Sequence, residues 1–248
     1  MLEGLRTARG VVRSLRTYYG DRSRRAAMDD LYRRFVRMGD LVLDVGAHVG
    51  DRVAAFRRLG ARVVAIEPQP ALARTLILLY GHDRHVTVES VAVGSREGTV
   101  ELMINVDNPT VATVSADFVN AAQGAAGWEG QAWTRSVPVQ ATTLDALIAR
   151  HGAPAFIKID VEGFEAEALA GLTQPPPALS FEFTTIQRDV AHACVARCAA
   201  LGYRRFNAAL GESQTFVHAL GQPADEMSRW IAALPHDANS GDVYAELG

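Results

Sequence analysis

The chain has 248 residues, of which 48% are hydrophobic and 21% charged, and its formal net charge is −3. This is a globular composition with enough chain for one sizeable core, and the charge balance excludes a molecule tuned as a whole for nucleic acid or acidic membranes. Two cysteines exclude a disulfide framework, no apolar run approaches the roughly 20 residues that span a bilayer, and the arginine-bearing start lacks the apolar stretch of a signal peptide; a cytoplasmic protein is expected.

Residues 1–38 read as an N-terminal helical arm or cap. Arg6, Arg9, Arg13, Arg16, Arg22, Arg24, Arg25, Arg33, Arg34 and Arg37 crowd it, and Leu31, Phe35 and Met38 recur at helical spacing. The arm is either a solvated cationic face or an anion-binding lid over an acidic or phosphorylated acceptor. Residues 39–248 read as one domain. Asp40–Val45 is a buried strand ending in Gly46, and Arg52–Leu59 a helix stopped by Gly60. Arg62–Glu67 is a second strand cut off by Pro68, Ala71–Tyr80 a helix, and Val86–Val93 contains a third strand. Strands separated by helices of this length predict right-handed βαβ units and a parallel sheet.

The rhythm breaks over residues 98–140, which read as an insertion. Thr99–Val106 is an extra strand, DNPT a turn, Thr113–Ala122 a short helix and Gln123–Gly130 a loop. Beyond it come a helix (Thr143–Arg150), a buried strand (Ala155–Asp160), a helix (Phe164–Leu172), a fifth core strand (Leu179–Phe183) and a helix (Asp189–Leu201). Tyr203–Asn207 and Gln214–Ala219 are predicted to pair antiparallel through Gly211, with a last helix at Glu226–Leu234.

The chemistry begins at DVGAHVG, Asp44 to Gly50, where the first strand turns into the first helix. A parallel sheet binds ligands at the carboxyl ends of its strands, and glycines let backbone turn sharply there. A dinucleotide site needs G-x-G-x-x-G so that glycines admit a pyrophosphate. Here the spacing is G-x-x-x-G, and Asp44 would repel linked phosphates while welcoming an amino-acid ammonium. Glu67, at the end of the second strand, suits ribose hydroxyls. Asp44, Gly46, Gly50 and Glu67 together therefore favour S-adenosylmethionine (SAM) over NAD. The end of the third strand, at Ser90, Val91 and Ala92, is the expected adenine contact.

FIKIDVEGFE, Phe156 to Glu165, crowds Lys158, Asp160, Glu162 and Glu165 at the end of the fourth strand. Methyl transfer needs alignment of acceptor oxygen, methyl carbon and sulfur, and a base for the hydroxyl proton. Asp160 is the first candidate, Glu182 at the end of the fifth strand the second, and His48 the third. Asp160 as a helix N-cap is the structural alternative. Lys158 is expected to pair with Asp44 or Asp160, and Glu162 and Glu165 to lie in the first helical turn, where the dipole favours acids.

LVLDVGAHVG, AIEPQP, AVGSREG, TLDALI and FIKIDVEGFEAEALAGL, in this order from about Leu41 to Phe183, resemble the FkbM-type methyltransferase family. That resemblance implies the class I SAM-methyltransferase fold: a Rossmann-like, doubly wound α/β domain with a seven-stranded, mostly parallel sheet. It also implies SAM-dependent O-methylation of a hydroxyl on a sugar, glycan or polyketide-type metabolite. The expected cofactor set is Asp44, Gly46, Ala47, His48, Gly50, Glu67, Pro68, Ser90, Val91 and Asp160, with KIDVEG at the methyl-transfer edge. His48 stands where the family often has asparagine.

His192, Cys194 and Cys198 share one helix but lack a fourth ligand, so an apolar core face is expected there. No metal set is assigned, and an ion between Asp160 and Glu182 stays an alternative. Trp128, Trp133 and Phe118 in the insertion either stack on an acceptor ring or pack as core. A dinucleotide-dependent oxidoreductase and a non-catalytic SAM-binding protein remain the rival functions.

Overall fold

The computed structural model describes residues 2–248; the side chains of residues 2–6 and 22, and with them Arg6 and Arg22 of the arm, lie outside that description. Two helices open the chain, α1 (Leu2–Tyr19) and α2 (Arg22–Tyr32). Asp21 caps α2 by accepting from the backbone N–H groups of Ser23 and Arg24. Met28, Leu31 and Tyr32 are buried, whereas Met38 lies beyond the helix and is exposed.

The main sheet is built from β1 (Leu41–Val45), β2 (Arg62–Ile66), β3 (Val86–Glu89), β7 (Phe156–Ile159), β8 (Ala178–Thr184), β9 (Arg205–Leu210) and β10 (Ser240–Glu246). Their order is β3-β2-β1-β7-β8-β10-β9, with β10 antiparallel to both neighbours and every other pairing parallel. The helices α3 (Asp51–Arg58), α4 (Pro70–Tyr80), α6 (Leu144–His151), α7 (Glu165–Ala170), α8 (Arg188–Leu201) and α9 (Ala224–Ala233) complete the domain, with α5 (Ala116–Ala122) in the insertion.

The core lies on both faces, because alternate side chains of a strand point to opposite sides. Leu41, Leu43 and Val45 join the cluster under α8 and α9, and Val42 joins the other, under α2 and α3. Asp44 shares the parity of Val42. Register then carries a polar row across that face: Asp44 lies opposite Lys158, Lys158 opposite Ser180, and Glu182 opposite Asp242. Cys194 and Cys198 are free and buried in the apolar core.

Three sequence expectations need correction. Gln214–Ala219 is not the partner of β9; β10 is, inserted between β8 and β9. Gln214–Ala219 keeps one ladder-like bond, Val217 N–H to Ala208 C=O at 2.8 Å. The run Val86–Val93 breaks at Ser90. Its last two residues form β4 (Ala92–Val93), which joins a second sheet with β5 (Gly98–Ile104) and β6 (Arg135–Thr142). β6 was hidden by Pro138, which a central strand excludes; β4 reaches only Ala141 and Thr142, so Pro138 has a free edge on that side. Finally, α5 begins at Ala116, where Ser115 Oγ accepts from Phe118 N–H, and Pro109–Val111 forms a separate 3₁₀ turn. Phe118, Trp128 and Trp133 pack on one another edge to face, at 5.1 and 6.0 Å between ring centroids.

Candidate active site

The carboxyl ends of β1, β2, β7 and β8 open into a cavity of about 110 Å³. Gly46 turns the chain out of β1 with φ +83°, and a Cβ there would sit 1.7 Å from the Asp160 carbonyl oxygen. Only glycine allows β1 and β7 to approach so closely. The N–H groups of Gly46 and Ala47 both donate to Ile66 C=O, and that of His48 donates to Glu67 Oε2 at 2.9 Å. These three successive amides are therefore bonded inside the protein and are not free to cradle a diphosphate.

Asp44 is fully buried, lines the cavity, and has no hydrogen-bond partner on either carboxylate oxygen among the described residues. Burial pushes its carboxyl up to about 7, against the opposing pull of Lys158. A buried carboxylate left without donors is costly; a ligand ammonium would satisfy it. Glu67 accepts from His48 and Gln69 N–H, and burial pushes it up to about 8 in spite of those bonds. Glu67 lines the cavity beside Ile66 and Pro68.

At the end of β7, Lys158 Nζ lies 2.5 Å from Asp160 Oδ2. Of the two expected partners, Lys158 takes Asp160. Burial would raise the Asp160 carboxyl, but Lys158 and a hydrogen bond from Glu182 hold it below the usual range. Burial and then the neighbouring Asp160 push Glu182 and Glu162 well above theirs. One oxygen from each of Asp160, Glu162 and Glu182 lies within 4.8 Å of the others, a grouping able to share protons or to hold a cation. Asp160 is not a helix N-cap, because α7 starts at Glu165 after Phe164.

Glu162 corrects the sequence reading. It stands before α7, buried in the cavity lining, with φ +54°, and its carbonyl accepts from Thr113 Oγ1 at 2.6 Å. Glu165 is the helical residue, and its Oε1 folds back to accept from Val161 and Gly163 N–H. Positive φ in non-glycine residues stores about 1–3 kcal/mol each and collects at functional sites; among the described residues His48 shares this feature, with φ +49°. Burial lowers the His48 imidazole to about 4, so it is neutral at pH 7. Its ring meets Tyr18 edge-on at 5.3 Å, and its Nε2 lies 3.5 Å from Thr110 Oγ1.

Of the residues singled out in the sequence, Asp44, Gly46, Ala47, His48, Glu67, Pro68, Val91, Ala92, Asp160 and Glu182 line the cavity together. Ser90 is exposed and does not. Gly50 instead caps α3 at φ +83°, packed under Leu76 and Tyr80. Tyr18, Asp51, Arg52, Thr110, Thr113 and Glu212 also line the cavity and carried no sequence signal.

The sequence profile of the methyltransferase FkbM domain matches residues 44–204, well over half of the chain. The chain belongs to the FkbM-type, SAM-dependent methyltransferases. No curated protein matches it. Among solved structures, a precorrin-6y C5,15-methyltransferase from Geobacter metallireducens is 14% identical, with 90% of this chain and 87% of that one covered at a TM-score of 0.45. A TehB-like SAM-dependent methyltransferase from Corynebacterium glutamicum is 10% identical, covering 89% and 86% at 0.45. Aeropyrum pernix fibrillarin, solved with SAM bound, is 10% identical, covering 85% and 68% at 0.42. The family assignment of this methyltransferase rests on the matched sequence and not on these distant likenesses. No helix among its described residues is long and apolar enough to cross a membrane.

Proposed function

We propose that this methyltransferase transfers a methyl group from SAM to a hydroxyl oxygen of a sugar, glycan or polyketide-type metabolite. The observation that carries the reading is Asp44: a buried carboxylate at the cavity lining, without a donor among the described residues, beside a turn in which the Gly46, Ala47 and His48 amides are bonded within the protein. That combination suits an ammonium joined to a nucleoside and disfavours a diphosphate. Asp44 would hold the amino group, Gly46, Ala47 and His48 the main-chain side, Glu67 and Pro68 the ribose, and Val91 the adenine. The bound cofactor supplies an electrophilic methyl group on a positively charged sulfur.

Asp160, kept ionised by Lys158, takes the acceptor's hydroxyl proton, and Glu182 at its side shares it. His48, uncharged and turned toward Thr110, helps to orient the acceptor. Wall residues from β1, β2 and the insertion keep bulk water from the reacting atoms.

Three measurements test this. In calorimetry with S-adenosylhomocysteine, Glu67→Ala should weaken binding by about 1–3 kcal/mol through lost hydroxyl partners. Unchanged affinity in a folded variant removes Glu67 from the site. The affinity of the wild type should rise about tenfold between about pH 6 and pH 8, because Asp44, raised to about 7 in the free protein, must be ionised to meet an ammonium. Asp44→Asn should abolish that slope, and a slope surviving the substitution would contradict the role given to Asp44. Transfer of labelled methyl to an acceptor panel of sugars, hydroxy acids and amines then separates O-methylation from N-methylation.

A further inference from the structure

Four charged side chains meet beside the cavity, Arg24 of α2, Asp51 and Arg52 at the start of α3, and Glu212 on the loop after β9, and all but Arg24 line it. Glu212 Oε2 accepts from Arg24 Nη2 at 2.7 Å and from Arg52 Nη2 at 2.8 Å. Asp51 Oδ2 serves the same pair, bonded to Arg52 Nη1 and 3.4 Å from Arg24 Nη2. Arg24 also stacks over Tyr18, 4.6 Å from the ring centroid.

The two acids are not equivalent. The Asp51 side chain is 10% exposed and anchored in a helix, while that of Glu212 is 44% exposed on a turn flanked by positive-φ Gly211 and Gln214. The arginines have donors to spare: Nε of each is buried without a partner among the described residues. Arg52, more than nine-tenths buried, lines the cavity with an unused N–H. Such unmatched buried donors are uncommon and ask for an explanation. Two planar guanidinium forks around one oxygen pair form a carboxylate receptor.

We propose that Glu212 occupies the place of a ligand carboxylate: the methyl acceptor carries a carboxylate that displaces Glu212, bridges Arg24 and Arg52, and leaves its hydroxyl toward Asp160. This rests on the O-methyltransferase reading and narrows its substrate class to hydroxy acids. The exchange replaces one negative charge by one, so the buried charge sum is unchanged. A phosphate dianion would add a second negative charge beside Asp51 and Asp160, which favours a carboxylate. Sugar acids and polyketide-type hydroxy acids share this chemistry.

The full-length protein is titrated, with and without S-adenosylhomocysteine, with D-glucuronate against D-glucose and with 3-hydroxybutyrate against butane-1,3-diol, by ligand-observed NMR. At least one acid should bind in preference to its neutral counterpart, and the responding pair tells sugar from polyketide-type acid. Glu212→Gln, which removes the competing charge, should tighten that acid on the order of tenfold without changing the neutral compound. Arg24→Gln should erase the preference. Acids binding no better than neutral compounds in both wild type and Glu212→Gln would overturn the proposal, as would a preference that persists in Arg24→Gln. Failure to bind S-adenosylhomocysteine would strike the methyltransferase site instead and leave the acid comparison readable.

Discussion

Gly46→Ala is expected to cost more than about 4 kcal/mol of stability and to lower Tm by roughly 10 °C or more, since each kcal/mol is worth about 2–4 °C in a chain of this size. Two effects add. An L-residue at φ +83° is strained by about 1–2 kcal/mol. The new methyl carbon would also lie 1.7 Å from the carbonyl oxygen of Asp160. That oxygen cannot retreat cheaply: the Asp160 N–H is bonded to Val45 C=O at 2.9 Å, and β1 and β7 are paired along their length. Gly39→Ala is the control, because Gly39 has φ +89° but nothing within 4 Å of the added carbon. It should cost only the backbone strain. A Gly46→Ala protein melting within a few degrees of Gly39→Ala would show that the close approach of β1 and β7 is not as described.

Lys158→Met is expected to destabilise the protein by about 3–5 kcal/mol at neutral pH, read from denaturant unfolding. Lys158 is 1% exposed and stands in the polar row between Asp44 and Ser180. It is the cation nearest Asp160, at 2.5 Å. The sign of the pH dependence follows from Asp160. Burial alone would raise its carboxyl, and Lys158 reverses this to a net lowering. The wild-type pair thus contributes stability that is present above the unfolded carboxyl value of 3.8 and is lost as pH falls through the lower folded value. Without Lys158, burial and the acidic neighbours hold Asp160 protonated, and ionising it becomes a cost that grows as pH rises. The gap between wild type and variant should therefore be widest near neutral pH, narrow toward about pH 4 as the variant's ionisation cost disappears, and close only as pH falls through the lowered Asp160 value. A deficit constant across that range would mean that Lys158 acts through packing and not charge.

The parts legible in the sequence are those in which a single segment carries its own signal. Asp40–Val45 and Arg62–Glu67 read as strands because short, largely apolar runs ended at Gly46 and Pro68, and the strands are Leu41–Val45 and Arg62–Ile66. The same two ends bring Asp44 and Glu67 into one cavity, since neighbouring parallel strands finish at the same edge. Where the signal was shared between distant segments it failed. Gln214–Ala219 read as the strand paired through Gly211, yet β10 takes its place because Val243, Tyr244 and Ala245 bury both faces between β8 and β9. Glu162 looked helical because acids are common in first turns, but the sharp turn at Glu162 and Gly163 delays α7 to Glu165 and leaves Glu162 in the cavity.

By itself the sequence determined the class of fold, the family and the corner of the cavity formed by Asp44 and Glu67, because periodicity, turn residues and motif spacing are local properties of the chain. Only the tertiary structure decided that Tyr18, Arg24, Arg52 and Glu212 gather beside the same cavity. Arg52 and Glu212 are 160 positions apart, and no local pattern encodes a contact created when a helix start and a distant loop are brought to one sheet edge.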